Sequence, residues 1–168
     1  MPTLILARHA KAERPAGLPD MDRPLAIIGR KASQKLGTEI AAAGLKPSLA
    51  LVSPSNRTQQ TWNLMAGSLG DCEVRTVDDL YETHVEGLLE VLNEIGDEDT
   101  VIAVGHEPTW SAAAAYLAAG GSDTDSLKFV AHGLRTATAA VLTFEGTWAE
   151  LGSRTAVLSQ IISGRDVE

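Results

Sequence analysis

The apolar positions change period repeatedly along the chain. Thr3-Leu4-Ile5-Leu6-Ala7 is a short, continuously apolar run that stops abruptly at Arg8-His9, the mark of a strand buried in a parallel sheet. A polar, proline-containing loop follows over residues 11–24. Leu25, Ile28, Ala32, Leu36 and Ile40 then recur at spacings of three and four, which predicts an amphipathic helix with Gly44 as its stop. Leu49-Ala50-Leu51-Val52 predicts a second strand, running into Ser53-Pro54-Ser55, and Thr58, Trp62, Met65 and Leu69 mark one side of a second helix. A short strand at residues 73–77 and a loop at 78–84 lead to a third helix through Val85, Leu88, Leu89, Leu92 and Ile95, closed by Gly96. Residues 100–104 predict another buried strand, ending in Gly105-His106-Glu107-Pro108. Pro108 suits the first turn of the next helix, which runs to about Ala119, because the donor it lacks would be unpaired there. Gly120-Gly121-Ser122 and the polar stretch beyond predict a loop. Residues 136–144 predict a strand, Glu145-Gly146 a turn, and residues 147–151 its partner.

Strands alternating with helices over short loops predict an α/β protein: a single three-layer α/β/α domain over residues 1–168. Its sheet is mostly parallel, with at least one antiparallel strand from the final hairpin. Composition narrows the class further. Hydrophobic residues make up 44% and charged residues 21%, which excludes a disordered or collagen-like chain. No apolar run approaches the roughly 18 residues of a membrane span. Met1-Pro2-Thr3 lacks the basic and long apolar stretches of a secretory leader, and Cys72 stands alone, so no internal disulfide forms. The expected address is the cytoplasm. A net charge of −8 argues against nucleic acid or a membrane surface as partner, while leaving room for a local cationic pocket.

The candidate chemistry lies where the strands end. In a parallel sheet the carboxyl ends share one edge, and ligands bind there. Three distant segments would therefore bring Arg8, His9, Arg57 and His106 to one crevice. Arginine offers permanent, bidentate hydrogen bonds to phosphate, and the helix start carrying Arg57 adds its dipole. A neutral imidazole beside a bound phosphoryl group can act as nucleophile, and nearby arginines favour its neutral form. A second imidazole can hold the equatorial oxygens. The remaining part is an acid for the leaving group. Glu82 is the choice, in Asp79-Leu80-Tyr81-Glu82, with Glu13, Asp22 and Glu107 as rivals.

These residues resemble the histidine phosphatase superfamily, also called phosphoglycerate-mutase-like. Arg8-His9-Ala10 is similar to the family's opening Arg-His-Gly motif, Ser53-Pro54-Ser55-Asn56-Arg57 with Gln60-Thr61 to its Ser-Pro-x-x-Arg motif, and Gly105-His106 to its Gly-His motif. The likeness spans roughly residues 3–119. Asp22-Arg23-Pro24-Leu25 followed by Gly29-Arg30, and the Ala after Arg-His, resemble the small SixA-like phosphohistidine phosphatase branch. The resemblance implies a phosphoglycerate-mutase-like fold, with His9 taking the phosphoryl group and Arg8, Arg57 and His106 binding it. It puts Arg23 at the pocket rim, although Arg23 also has Asp20 and Asp22 as pairing partners. Glu82 is similar to the Leu-x-Glu acid of mutase-like members, an acid that some SixA-like proteins lack. Larger members carry a long insertion between the acid and the second histidine. Here only residues 83–105 intervene, which predicts a shallow, open pocket.

The expected function is thus a metal-independent phosphatase, without cofactor, working through phosphohistidine on His9. Its partner is a phosphorylated protein (a phosphohistidine carrier) or a small phosphate ester. Two rivals stand beside it. A non-catalytic phosphate sensor would need no nucleophile. A dinucleotide-binding enzyme would want Gly-x-Gly-x-x-Gly after the first strand, where Arg8-His9-Ala10-Lys11 stands instead. Trp62 and Trp110 are expected in the core, Trp110 near enough to His106 to line the pocket. His84 and His132 are expected to be structural or solvent-facing.

Overall fold

The computed structural model describes residues 1–166. Six strands form one sheet in the order β3-β2-β4-β1-β5-β6. They are β1 (Thr3–Arg8), β2 (Leu49–Val52), β3 (Glu73–Thr76), β4 (Thr100–Gly105), β5 (Thr138–Phe144) and β6 (Ala156–Ser163). Strands β1 to β4 are mutually parallel, and β5 runs antiparallel to both of its neighbours. Five helices connect them: α1 (Ile27–Ala42), α2 (Asn56–Ala66), α3 (Val85–Asn93), α4 (Thr109–Leu117) and α5 (Thr124–Ala131). None of these is long and apolar enough to cross a membrane.

The alternation of strand side chains builds the three layers. Leu4 and Leu6 of β1 pack with Leu51, Val101 and Ala103 under Leu88 of α3, Trp110 of α4 and Val130 of α5. Ile5 and Ala7 face the other way, with Val52, Ile102 and Val104, under Leu36 and Ile40 of α1 and Trp62 and Met65 of α2. The parallel strands β1, β2 and β4 are buried on both faces, which is why they read as unbroken apolar runs. Strand β3 is an exposed edge.

Three expectations fail locally. Ile28 is 65% exposed: α1 begins at Ile27, and the buried stripe runs instead through Gly29, Ser33, Leu36, Gly37 and Ile40. Leu25 belongs to an isolated antiparallel bridge with Ala12. The polar stretch after Ser122 is not all loop, because Asp123 accepts from the Ser126 N–H and caps α5. The partner of β5 is β6, and residues 148–150 form a 3₁₀ turn under a Thr147/Glu150 capping box. A five-residue segment with Trp148 pinned to the Glu98 carbonyl cannot also lie along β5.

Candidate active site

The register of the sheet assembles the site. Arg8 stands opposite Gly105 in the β1–β4 pair, the His9 N–H donates to the Gly105 carbonyl at 3.1 Å, and the Ser53 N–H donates to the Val104 carbonyl at 3.1 Å. His9, His106 and Ser53 are therefore lateral neighbours at the carboxyl edge. Glycine is required at 105, because a Cβ there would overlap the Trp110 ring, whose Nε1–H is tied to the Ala103 carbonyl. Trp110 is fully buried in the core, and so is Trp62 almost entirely.

His9 is 8% exposed. Its Nδ1 lies 2.7 Å from the Ala10 carbonyl, an acceptor only, so Nδ1 carries the proton and Nε2 the free lone pair. Burial pushes its pKa down to about 3, with His106, Arg57 and Arg8 acting in the same direction. The ring is neutral at pH 7. The backbone around it is pinned by the Thr61 hydroxyl, which accepts from the Ala10 N–H at 3.0 Å and donates to the Arg57 carbonyl at 2.7 Å. Thr61 thus joins the two motif segments.

His106 faces His9 with ring centroids 5.5 Å apart. Burial, and then Arg57, lower it to about 4. Its Nδ1 meets Arg57 Nη2 at 3.4 Å and its Nε2 meets the Ser53 hydroxyl at 2.8 Å. Arginine only donates, so in this arrangement Nδ1 accepts and Nε2–H donates to Ser53.

Arg57 sits in the first turn of α2, 7% exposed, below a cap in which Ser55 accepts from the Thr58 N–H. Its Nη1 and Nη2 donate to the main-chain and side-chain oxygens of Asp20 at 2.9 and 3.1 Å. Arg8 donates from Nη1 to the Leu134 carbonyl at 3.0 Å. The Nε–H groups of Arg8 and Arg57 are buried and have no acceptor among the described residues. Two buried, charged donors left unpaired at one sheet edge are costly unless an anion meets them.

Asp20 is the residue that the sequence pattern did not mark as a centre. It accepts from Arg57, from Arg23 Nη1 at 3.0 Å and from the Tyr81 hydroxyl at 2.6 Å. Tyr81, Arg23 and Arg57 together hold its carboxyl well below the usual range, and Tyr81 is correspondingly raised. The three-residue spacing makes the Arg23 pair legible. A link across 37 residues to Arg57 leaves no local signal. Arg23, 8% exposed, also donates from Nε to the Glu13 carbonyl at 2.9 Å, so both its ends are held by the loop over residues 11–24. That loop lies on the start of α2, where Asn56 donates to the Asp22 carbonyl at 3.1 Å.

Glu82 follows Tyr81 with an exposed side chain and φ of 57°, a left-handed conformation unusual for glutamate. It lines, with Thr83, His84, His106, Pro108 and Thr109, a cavity of about 390 Å³. Of its rivals, Glu107 is committed elsewhere: its carboxylate accepts from the Ser111 N–H and hydroxyl, both at 2.7 Å, and from the Leu134 N–H at 2.9 Å. It braces the segment that holds Arg8. Glu13 and Asp22 contribute main-chain carbonyls to the loop. His84 and His132 are exposed. Among the described residues no three His, Cys, Asp or Glu side chains converge as metal ligands. Cys72 is pushed up to about 11 by burial and by Glu98 and Glu73, the opposite of an activated thiol.

The chain is similar to several known proteins. An uncharacterized protein of Mycobacterium tuberculosis strain H37Rv is 34% identical over 146 residues, covering 86% of this chain and 90% of that protein. The structure of a Nakamurella multipartitia protein proposed to be a phosphohistidine phosphatase SixA is 30% identical and superposes with a TM-score of 0.83 over 95% of this chain and 94% of that one. The protein histidine phosphatase SixA complexed with tungstate shares the fold at 19% identity, with a TM-score of 0.78 over 96% of this chain and 97% of that one. The model of the histidine phosphatase superfamily (branch 1) matches residues 4–98, a span that holds His9, Arg57 and Glu82. That span is more than half of the chain, and the chain belongs to the histidine phosphatase superfamily (branch 1).

Proposed function

We propose that this protein is a metal-independent phosphatase that passes the phosphoryl group through His9, and that its substrate is phosphohistidine on a protein. The observation that carries the reading is the neutral His9 ring, with Nδ1–H bound to Ala10 and the lone pair on Nε2, beside two buried arginine Nε–H groups without acceptors among the described residues. A bound phosphoryl group supplies those acceptors.

The Nε2 lone pair attacks phosphorus while the bond to the leaving group breaks. The His9 ring becomes cationic as it gains the phosphoryl group, and the Ala10 carbonyl stabilises that charge through Nδ1–H. Arg8 and Arg57 hold the equatorial oxygens. The Ser53 hydroxyl can donate as well as accept, so His106 can turn its proton from Nε2 to Nδ1 and offer it to an oxygen drawn close by Arg57. For an ester, Glu82 is the group placed to pass a proton to the leaving oxygen. A leaving imidazole keeps the N–P bond pair on its nitrogen and can take its proton from solvent water, so it needs this help less. Water then attacks phosphorus and gives a proton to the Glu82 carboxylate, and the bond to Nε2 returns to His9 as its lone pair.

The likeness to the Nakamurella protein, at 30% identity, supports the phosphohistidine reading. Glu82, held in its left-handed turn at the cavity beside His106, favours a second reading, a small phosphate monoester. Phosphate release in EDTA from an aryl phosphate and from a histidine-phosphorylated carrier domain separates them. His9→Ala should be inactive on both, and Glu82→Gln should lose the ester selectively. A His9→Ala enzyme that keeps most of its activity would sink the mechanism.

A further inference from the structure

Charge is distributed unevenly along the chain. Residues 8–35 hold seven of the fourteen Lys and Arg but only three of the twenty-two Asp and Glu, a local +4 in a chain of −8. Of these, Lys11, Arg14, Arg30, Lys31 and Lys35 are exposed, against the exposed Glu13, Asp20 and Asp22. Asp20 is already engaged by Arg23 and Arg57, and Lys35 is paired with Asp166.

Among the described residues this cationic stretch also carries the most exposed internal large apolar side chains. Ile27 is 72% and Ile28 65% exposed, side by side in the first turn of α1, and Leu18 is 39% exposed in the preceding loop. Isolated exposed hydrophobics need no explanation, but two adjacent, almost free isoleucines at one place do. Their place is fixed. The Ala26 N–H donates to the Lys11 carbonyl at 2.9 Å, and Gly29 packs so tightly on that carbonyl that a Cβ would overlap it. Lys11 is two residues from His9. The Ile27–Ile28 turn therefore sits beside the nucleophile's own loop, outside the phosphate cradle.

We propose that the first turn of α1, Ile27 and Ile28 within the ring of Lys11, Arg30 and Lys31, is the docking surface for the protein that carries the phosphohistidine, and that it takes an acidic surface with exposed apolar side chains. The proposal rests on the phosphohistidine-protein reading above. A protein substrate has surface beyond its phosphoryl group, and contacts outside the phosphate cradle add affinity there. Charge complementarity selects the occupant, since an acidic partner is drawn to this corner and repelled by the remainder of the molecule. A second copy of this chain is the competing occupant.

The test uses Ile27→Ser/Ile28→Ser and Arg30→Glu/Lys31→Glu against three substrates: an aryl phosphate, free phosphohistidine, and a histidine-phosphorylated carrier domain of net negative charge. Both variants should hydrolyse the two small substrates as wild type does. On the carrier kcat/KM should fall about tenfold or more, mainly through KM, as for removal of a hydrophobic anchor or a steering charge. Salt should weaken wild-type activity on the carrier more than on free phosphohistidine, which meets only the phosphate cradle. Unchanged carrier kinetics in both variants overturns the docking surface and leaves the function standing. Wild type inactive on the carrier and on phosphohistidine, yet active on the ester, overturns the function and the docking surface with it. Wild type that sediments as a dimer, and as a monomer after Ile27→Ser/Ile28→Ser, assigns the face to a second copy and overturns the proposal.

Discussion

Among single residues, burial governs the chemistry through the two histidines. His9 and His106 are lowered to about 3 and about 4 from an ordinary 6.5. Between those values and 6.5 the unfolded chain binds more protons than the folded one, so stability rises with pH across this window and falls as pH drops below 6.5. At pH 5 the cost is on the order of 2 kcal/mol per histidine, because a drop of one pH below 6.5 costs each neutral ring about 1.4 kcal/mol. Thermal unfolding followed from pH 7 to pH 5 should therefore show a falling Tm, and His9→Gln should flatten the slope. The same burial keeps the nucleophile neutral, so kcat/KM on free phosphohistidine or an aryl ester should show no inflection near 6.5 from His9. Ring-nitrogen chemical shifts of His9 that titrate near 6.5 would refute the neutral buried imidazole. Asp20 acts here too, as a positioning residue. Asp20→Asn keeps the size and removes the charge that faces Arg57, Arg23 and the Tyr81 hydroxyl. Its expected effect is a loss in kcat/KM of roughly tenfold, smaller than for deletion of an oxyanion donor. Because Asp20 raises His106, its removal should also move any His106 limb of the pH profile further down. A purely structural role for Asp20 would lower Tm without moving that limb.

Between elements, glycine positions set how closely the pieces approach. Gly37 of α1 lies against the backbone of α2, where a Cβ would come within 2.5 Å of the Met65 carbonyl. Gly37→Ala must push the helices apart and should cost about 1–3 kcal/mol in denaturant unfolding, with little effect on kcat once folded. Gly105→Ala has a different signature. Its Cβ would strike the Trp110 ring, and the strain falls on the residue before His106, so activity should drop even where the protein stays folded. Equal losses of activity in the two variants would show that the Gly105 contact has no special bearing on the site. The buried strands β1, β2 and β4 are legible in the sequence because a parallel strand covered on both faces is apolar without interruption. Strand β6 is not, since its burial is patchy and its partner β5 shifts register between Val141 and Leu142. Helix α5 is hidden for a different reason: it is eight residues long and buries Ser126 and Val130, too short a segment to repeat the three-and-four spacing that marks α1.

Across the whole protein, the two helical layers bring the loop over residues 11–24 onto α2 and leave the first turn of α1 open beside it. The layered α/β class, the order of the buried strands along the chain, and the delivery of Arg8, His9, Arg57 and His106 to strand ends can all be read from the amino acids alone. Those features are written locally, as runs of apolar residues and the polar residues that terminate them. The lateral neighbours of each strand come from the folded arrangement, and with them the pairing of Ser53 with His106, the engagement of Arg57 by Asp20, and the commitment of Glu107 to Leu134. So does the exposure of Ile28, because the close packing of Gly29 on Lys11 rotates the helix face away from the spacing its isoleucine suggests. Contacts of this kind join residues tens of positions apart, and the pattern along a chain records what each segment buries but not which distant group it is buried against.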